Sequence, residues 1–151
     1  MKKILLIFAT AFILNAIWEN LHVFLYDNYM GGRITELVLL RATLADAVMI
    51  TVIALPFVLF PSWRRQNWII IFVGLVLAIG IEWYALLTGR WAYNVYMPII
   101  PLLSVGLTPA IQLGLLGLLS FRIQEYISSS IWYNRTDEKR FQREYWKGDA
   151  W

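Results

Sequence analysis

Apolar residues run along this chain in four blocks of membrane length, and charge, glycine and proline collect between them. A helix crosses the hydrocarbon core of a bilayer with about 20 apolar residues. The first block runs from Ile4 to about Tyr26, and the second from about Glu36 to Phe60. The third runs from Trp68 to about Thr88, and the fourth from Ile99 to Phe121. Pro56 and Pro61 close the second block. Pro98 and Pro101 open the fourth, where a missing N–H costs little. Pro109 lies inside the fourth block and predicts a kink near mid-membrane. The expected fold is all-α, a polytopic bundle of four transmembrane helices over residues 1–124. A basic, aromatic tail over 125–151 follows. Its Phe141, Tyr145 and Trp146, at near-helical spacing, read as an interfacial helix or as a frayed, solvated tail.

The first block is not uniformly apolar. Trp18, Glu19, His22 and Tyr26 fall three, four, seven and eleven residues after Asn15. On one continuous helix these five share a face. An ionisable group inside a span is costly and faces protein or trapped water. The stripe is therefore a site or a polar packing seam.

Composition agrees with the blocks. The 151 residues are 60% hydrophobic and 15% charged, with eight Trp among the aromatics. A soluble domain carries about a quarter charged residues. Lys2 and Lys3 precede the first block, Arg64 and Arg65 separate the second and third, and Arg122, Arg135, Lys139, Arg140, Arg143 and Lys147 follow the fourth. The other side holds Arg33, Arg41 and Arg90. The positive-inside rule then places both termini in the cytoplasm, with the protein in the cytoplasmic (inner) membrane. A cleaved signal peptide is the rival reading of the N-terminus, but Leu14 is large where cleavage after Ala16 wants a small residue, and the helical period continues to Tyr26. The basic balance fits contact with anionic lipid and not with nucleic acid. There is no Cys and one His. That leaves no thiolate chemistry, and neither a metal site nor a cofactor is expected.

Topology makes the embedded polar groups comparable in depth. At about 1.5 Å per residue, Glu19 lies roughly 10 Å below the outer end of its helix, Arg41 about 8 Å, Asp46 about 15 Å and Glu82 about 9 Å. His22 and Tyr26 sit shallower, and Thr108 and Gln112 come down to mid-membrane from the fourth helix. Every embedded charge thus falls in the outer half. Arg41 is placed to neutralise one of the carboxylates through paired hydrogen bonds. Glu19 with Arg41 reads equally as an ion pair that fixes helix register. The outer loop from Gly89 to Pro98 reads first as an aromatic belt with a snorkelling Arg90, and second as a lid. Trp18, Trp83 and Trp91 suit interface anchoring, and Asn15 and Gln112 suit interhelical hydrogen bonding. What these bland readings explain poorly is three acids and one or two Arg at one depth from three helices.

Four motifs carry a resemblance: Asn15-x-x-Trp18-Glu19, Leu40-Arg41-Ala42-Thr43-Leu44-Ala45-Asp46-Ala47, Gly89-Arg90-Trp91-Ala92-Tyr93 ahead of Met97-Pro98, and Gly106-Leu107-Thr108-Pro109 with Gln112. Together they resemble a family of small, uncharacterised bacterial four-helix membrane proteins. The resemblance covers about Asn15 to Gln112 and implies architecture without an activity. A fainter resemblance links Trp91-Ala92-Tyr93, before a Pro-containing helix, to the small membrane lycopene cyclases. Their acidic Pro-x-Glu motif is replaced here by Pro109-Ala110-Ile111-Gln112, so the likeness implies only an apolar isoprenoid ligand.

Two functions follow as expectations. One is an outer-leaflet site that binds, and can transform, a lipid or isoprenoid. Glu19, Glu82 and Asp46 would be its acid–base residues, with Trp18, His22, Arg41, Trp83, Arg90, Trp91, Tyr93 and Gln112 contacting the ligand. The other is a non-catalytic accessory subunit, with partner membrane proteins meeting the helices or the tail. Membrane lipids are partners in either case.

Overall fold

A computed structural model describes the backbone of residues 2–148 and the side chains of residues 2–130. The described chain is mostly helical. Helix α1 spans Lys2–His22, α2 spans Glu36–Leu59, α3 spans Ile69–Leu87 and α4 spans Leu107–Gly148. Three stretches, Lys2–Leu25, Glu36–Leu59 and Ile69–Leu87, are helical, long and apolar enough to cross a membrane. Their outward faces carry Leu5, Ile13, Leu44, Val48, Val52 and Val76, all exposed. Large apolar side chains facing outward along whole helices suit hydrocarbon as the surrounding solvent.

Helix α2 begins after Thr35, whose carbonyl accepts from Val38 and Leu39 N–H, and Glu36 in its first turn complements the dipole. Pro56 sits in its last turn, and Phe60 N–H closes the helix on Pro56 O at 2.9 Å. A 3-10 turn, Pro61–Gln66, carries Arg64 and Arg65 across to α3.

The first and fourth blocks depart from the expected helices. Helix α1 stops at His22. A 3-10 turn, Val23–Leu25, follows, and then strand β1, Tyr26–Tyr29. Tyr26 is therefore not on the helix that carries Asn15, Glu19 and His22. The fourth helix starts at Leu107 and not at Ile99. Residues 99–106 instead fold as a hairpin of β3, Ile99–Ile100, against β4, Val105–Gly106. The physical reason is local. Pro98 and Pro101 lack the N–H groups that helix propagation needs, and Ser104 takes φ 55, which a right-handed helix excludes. Leu107 N–H donates to Pro98 O at 2.7 Å and closes the loop. Pro109 consequently falls in the first turn of α4. It meets no intrahelical bond there, so the expected mid-membrane kink has no cause.

The helix α4 then runs without a break through residue 124, where the tail was expected to begin. The side chains of Phe141, Tyr145 and Trp146 lie outside the described residues.

Helix α4 holds the bundle together. It packs along α3 and also reaches α1 and α2, while α1 pairs with α2. The closest approach is Gly74 of α3 against Gly114 of α4. A Cβ on Gly114 would stand 2.6 Å from Ile71 O, so only glycine permits this spacing. Below it lies the dry core of Ile7, Ile50, Ala54, Phe57, Ile70 and Phe121. By contrast, α2 and α3 scarcely touch.

Above the helices the two outer connections pair with each other. Strand β2, Trp91–Tyr93, runs antiparallel to β1, with Tyr26 opposite Tyr93 and Tyr29 opposite Trp91. The β1–β2 ribbon makes a small flap over the end of the bundle where α1 and α3 finish.

Candidate functional site

Gln112, one and a half turns into α4, is the hub of the buried polar groups. Its side chain is 4% exposed. Nε2 donates toward Asn15 Oδ1 at 3.0 Å, Glu19 Oε1 at 2.7 Å and Asp46 Oδ2 at 2.7 Å. Two helices, α1 and α2, thus present three oxygens to one nitrogen of α4. Asn15 is fully buried and donates its own amide to Ala11 O, which turns Oδ1 toward Gln112. The late start of α4 explains the meeting. With the helix beginning at Leu107, Gln112 lies five residues from its start and level with Glu19 and Asp46. Asn15 and Gln112, both expected to hydrogen-bond between helices, bond to each other, and Asn15 is part of the same floor.

Glu82, also buried, has a different set of partners. Tyr93 donates its hydroxyl to Oε2 in a short hydrogen bond, Trp91 Nε1 donates to Oε2 at 3.3 Å, and Tyr26 donates to Oε1 at 3.5 Å. All three donors belong to the flap. Tyr93 also accepts from Gly106 N–H at 2.9 Å, which ties the flap to the base of the β3–β4 hairpin. The loop expected first as an aromatic belt is thus bonded to a buried acid of α3. Burial, and then the neighbouring Glu82, push the Tyr26 and Tyr93 hydroxyls above their ordinary value.

His22 is 6% exposed and stands between the two groups. Its Nδ1 lies 3.0 Å from Trp18 O. A carbonyl can only accept, so Nδ1 carries the hydrogen and Nε2 is left over. The imidazole meets Tyr26 edge-on, and Tyr26 meets Trp91 in the same way, so an aromatic row links α1 to the flap.

These groups enclose a cavity of about 310 Å³. Glu19, Asp46, Glu82, Gln112, Arg41 and Arg90 contribute its polar wall. Met49, Ala78, Ile81 and Leu113 contribute apolar surface. Of the expected contact residues, His22, Trp91, Gln112 and those two Arg line it, and Tyr93 bonds to Glu82. Trp18 packs on His22 outside the cavity, and its buried Nε1 has no hydrogen-bond partner. Trp83 points elsewhere: it is exposed and donates to Leu103 O at 2.8 Å.

The hydrogen bonds expected of Arg41 are made by Gln112, which brings no charge. Arg41 is exposed at the cavity's outer rim, while Glu19 and Asp46 bond to the amide. The Arg90 guanidinium lies 5.3 Å from the Tyr84 ring centre and its carbonyl accepts from Met30 N–H. Among the described residues no group of three or more His, Cys, Asp or Glu is arranged to hold a metal ion.

Chemically, the site offers two carboxyl groups around one amide donor, a spare imidazole nitrogen, and apolar space beside them. Compared with protein families, with curated proteins and with solved structures, the chain matches none.

Proposed function

We propose that this is a four-span protein of the cytoplasmic membrane, with both termini inside, that takes a lipid or isoprenoid from the outer leaflet into its cavity. The observation that carries this reading is the cavity of about 310 Å³ with acids on one wall and apolar side chains on another. A pocket of that size suits a headgroup or a short stretch of chain. The poor contact between α2 and α3 supports entry from the side. Val38, Ala42, Ala45 and Met49 of α2 and Ala78 and Ile81 of α3 all line the space, so a chain entering there has apolar surface on both helices.

The chemistry open to the site is acid–base, with Glu19 and Asp46 as the groups that touch the ligand. Glu82 serves the flap instead, because three donors already occupy its oxygens. The test compares membrane lipid extracts from cells carrying the wild type, Glu19→Gln or Asp46→Asn. Transformation of a lipid predicts that one species accumulates and another disappears in both variants. Identical extracts from folded variants would leave a binding role only. A larger stoichiometric assembly in mild detergent would favour an accessory subunit.

A further inference from the structure

We propose that the cavity receives the primary ammonium head of a membrane amphiphile; this rests on the amphiphile reading above and names its headgroup. Three independent features point the same way.

First, the polar floor is built of acceptors. Asn15 Oδ1, Glu19 Oε1 and Asp46 Oδ2 all lie within 3.0 Å of Gln112 Nε2. An amide nitrogen carries two hydrogens, so three oxygens outnumber what it can give. His22 adds another acceptor to the same cavity. Its Nδ1 is committed to Trp18 O, and its Nε2 has no protein partner among the described residues. The imidazole is more than nine-tenths buried. A ligand that brings N–H donors completes this floor, and one that brings only acceptors does not.

Second, the lining carries three carboxyl side chains, Glu19, Asp46 and Glu82, against two guanidiniums, Arg41 and Arg90. The guanidiniums are both exposed. Arg41 precedes Asp46 by five residues on α2, about 7.5 Å nearer the outer surface. Arg41 is thus separated in depth from Asp46, the deepest of the three acids. Third, Tyr26, Tyr29 and Trp91 line the same space, and aromatic faces favour a cation over a neutral head. A hydroxyl head would serve the acceptors, but it would leave the carboxyl excess and the aromatic wall without a counterpart.

The ammonium has two natural sources, an aminophospholipid and a single-chain amine. In an aminophospholipid the phosphate would meet the Arg41 and Arg90 rim.

The test uses the full-length protein in maltoside micelles, with dodecylamine and N-dodecylacetamide as probes of equal chain. Calorimetric titration is expected to show the amine binding about tenfold tighter or more, the ratio of a charge-assisted hydrogen-bonded head to a neutral one. Asp46→Asn should bring the two ligands together. The wild-type ratio stands by itself where that variant fails to fold. Equal binding of both probes by the wild type overturns the ammonium assignment and leaves the amphiphile reading standing. Binding of neither overturns both. Competition identifies the source. Phosphatidylethanolamine displacing the amine where phosphatidylglycerol does not identifies an aminophospholipid. Displacement by neither lipid identifies a single-chain amine, and equal displacement by the two again overturns the assignment.

Discussion

Replacing Gln112 with Leu is expected to destabilise the protein more than any other single change in the outer half, by about 3 kcal/mol or more. Leucine fills a similar volume but donates nothing. Asn15, Glu19 and Asp46 would then face one another around an apolar side chain, having lost the nitrogen to which each now lies within 3.0 Å. Leaving a buried acceptor unmade costs about 1–3 kcal/mol, and more where the group is charged. The check is the thermal midpoint of the purified protein in detergent, followed by loss of the monodisperse species. A double-mutant cycle makes the cause specific. In an Asp46→Ala background the Gln112→Leu cost should shrink, because one of the stranded acceptors is already gone. An unchanged cost in that background would mean that packing, and not the hydrogen bonds, carries the effect.

Glu82→Gln is expected to loosen the flap while leaving the bundle folded. The substituted amide keeps one acceptor oxygen but presents N–H groups toward donors: the Tyr26 and Tyr93 hydroxyls and the Trp91 indole. Amide hydrogens of the β1–β2 ribbon should exchange faster, by an amount corresponding to about 1–3 kcal/mol. Exchange in the core of α3 and α4 should hold. The same contacts make an alkaline prediction. In the folded protein both hydroxyls keep their protons above the ordinary value of 10.0. Once pH passes about 10, the unfolded chain releases protons that the folded chain retains. The stability linked to these two groups is thus fully present below pH 10 and is lost as pH climbs beyond it. Tyrosinate absorbance should show two hydroxyls silent until unfolding. In Glu82→Gln, Tyr93 should titrate at a lower pH than in the wild type. An unchanged Tyr93 would mean that burial alone holds its proton.

Much of the bundle was legible in the chain because membrane spans announce themselves by length and apolarity. The ends of α2 and α3 fall within a residue of the apolar blocks, since charge and proline mark both boundaries. The fourth helix was misplaced for a definite reason. Residues 99–106 are as apolar as a span, so hydropathy extends the block through them. The determinant is the paired loss of N–H donors at Pro98 and Pro101, followed by a left-handed Ser104, and only the proline half of that is visible in sequence. This eight-residue shift matters functionally. It places Gln112 within the first two turns of the helix, level with Glu19 and Asp46.

The acids themselves were legible as outliers in apolar helices, and their shared depth followed from topology. Their partners were not. Arg41 was the natural partner by charge, but depth along a helix says nothing of which face meets a neighbour. The helix rotation set by the Gly74–Gly114 contact belongs to packing. Likewise nothing in the spacing of Tyr26, Trp91 and Tyr93 links them to Glu82. That link exists because β1 and β2, far apart in the chain, pair into one ribbon.

The most direct test of a laterally open, ligand-holding cavity is native mass spectrometry of the protein released from mild detergent. The cavity predicts a bound amphiphile on the wild type, near one per chain. It also predicts its loss from Ala45→Phe, which adds a ring at a lining position of α2 that makes none of the Gln112 hydrogen bonds. A wild type that carries no amphiphile, or an Ala45→Phe protein that carries it as well as the wild type does, would contradict it.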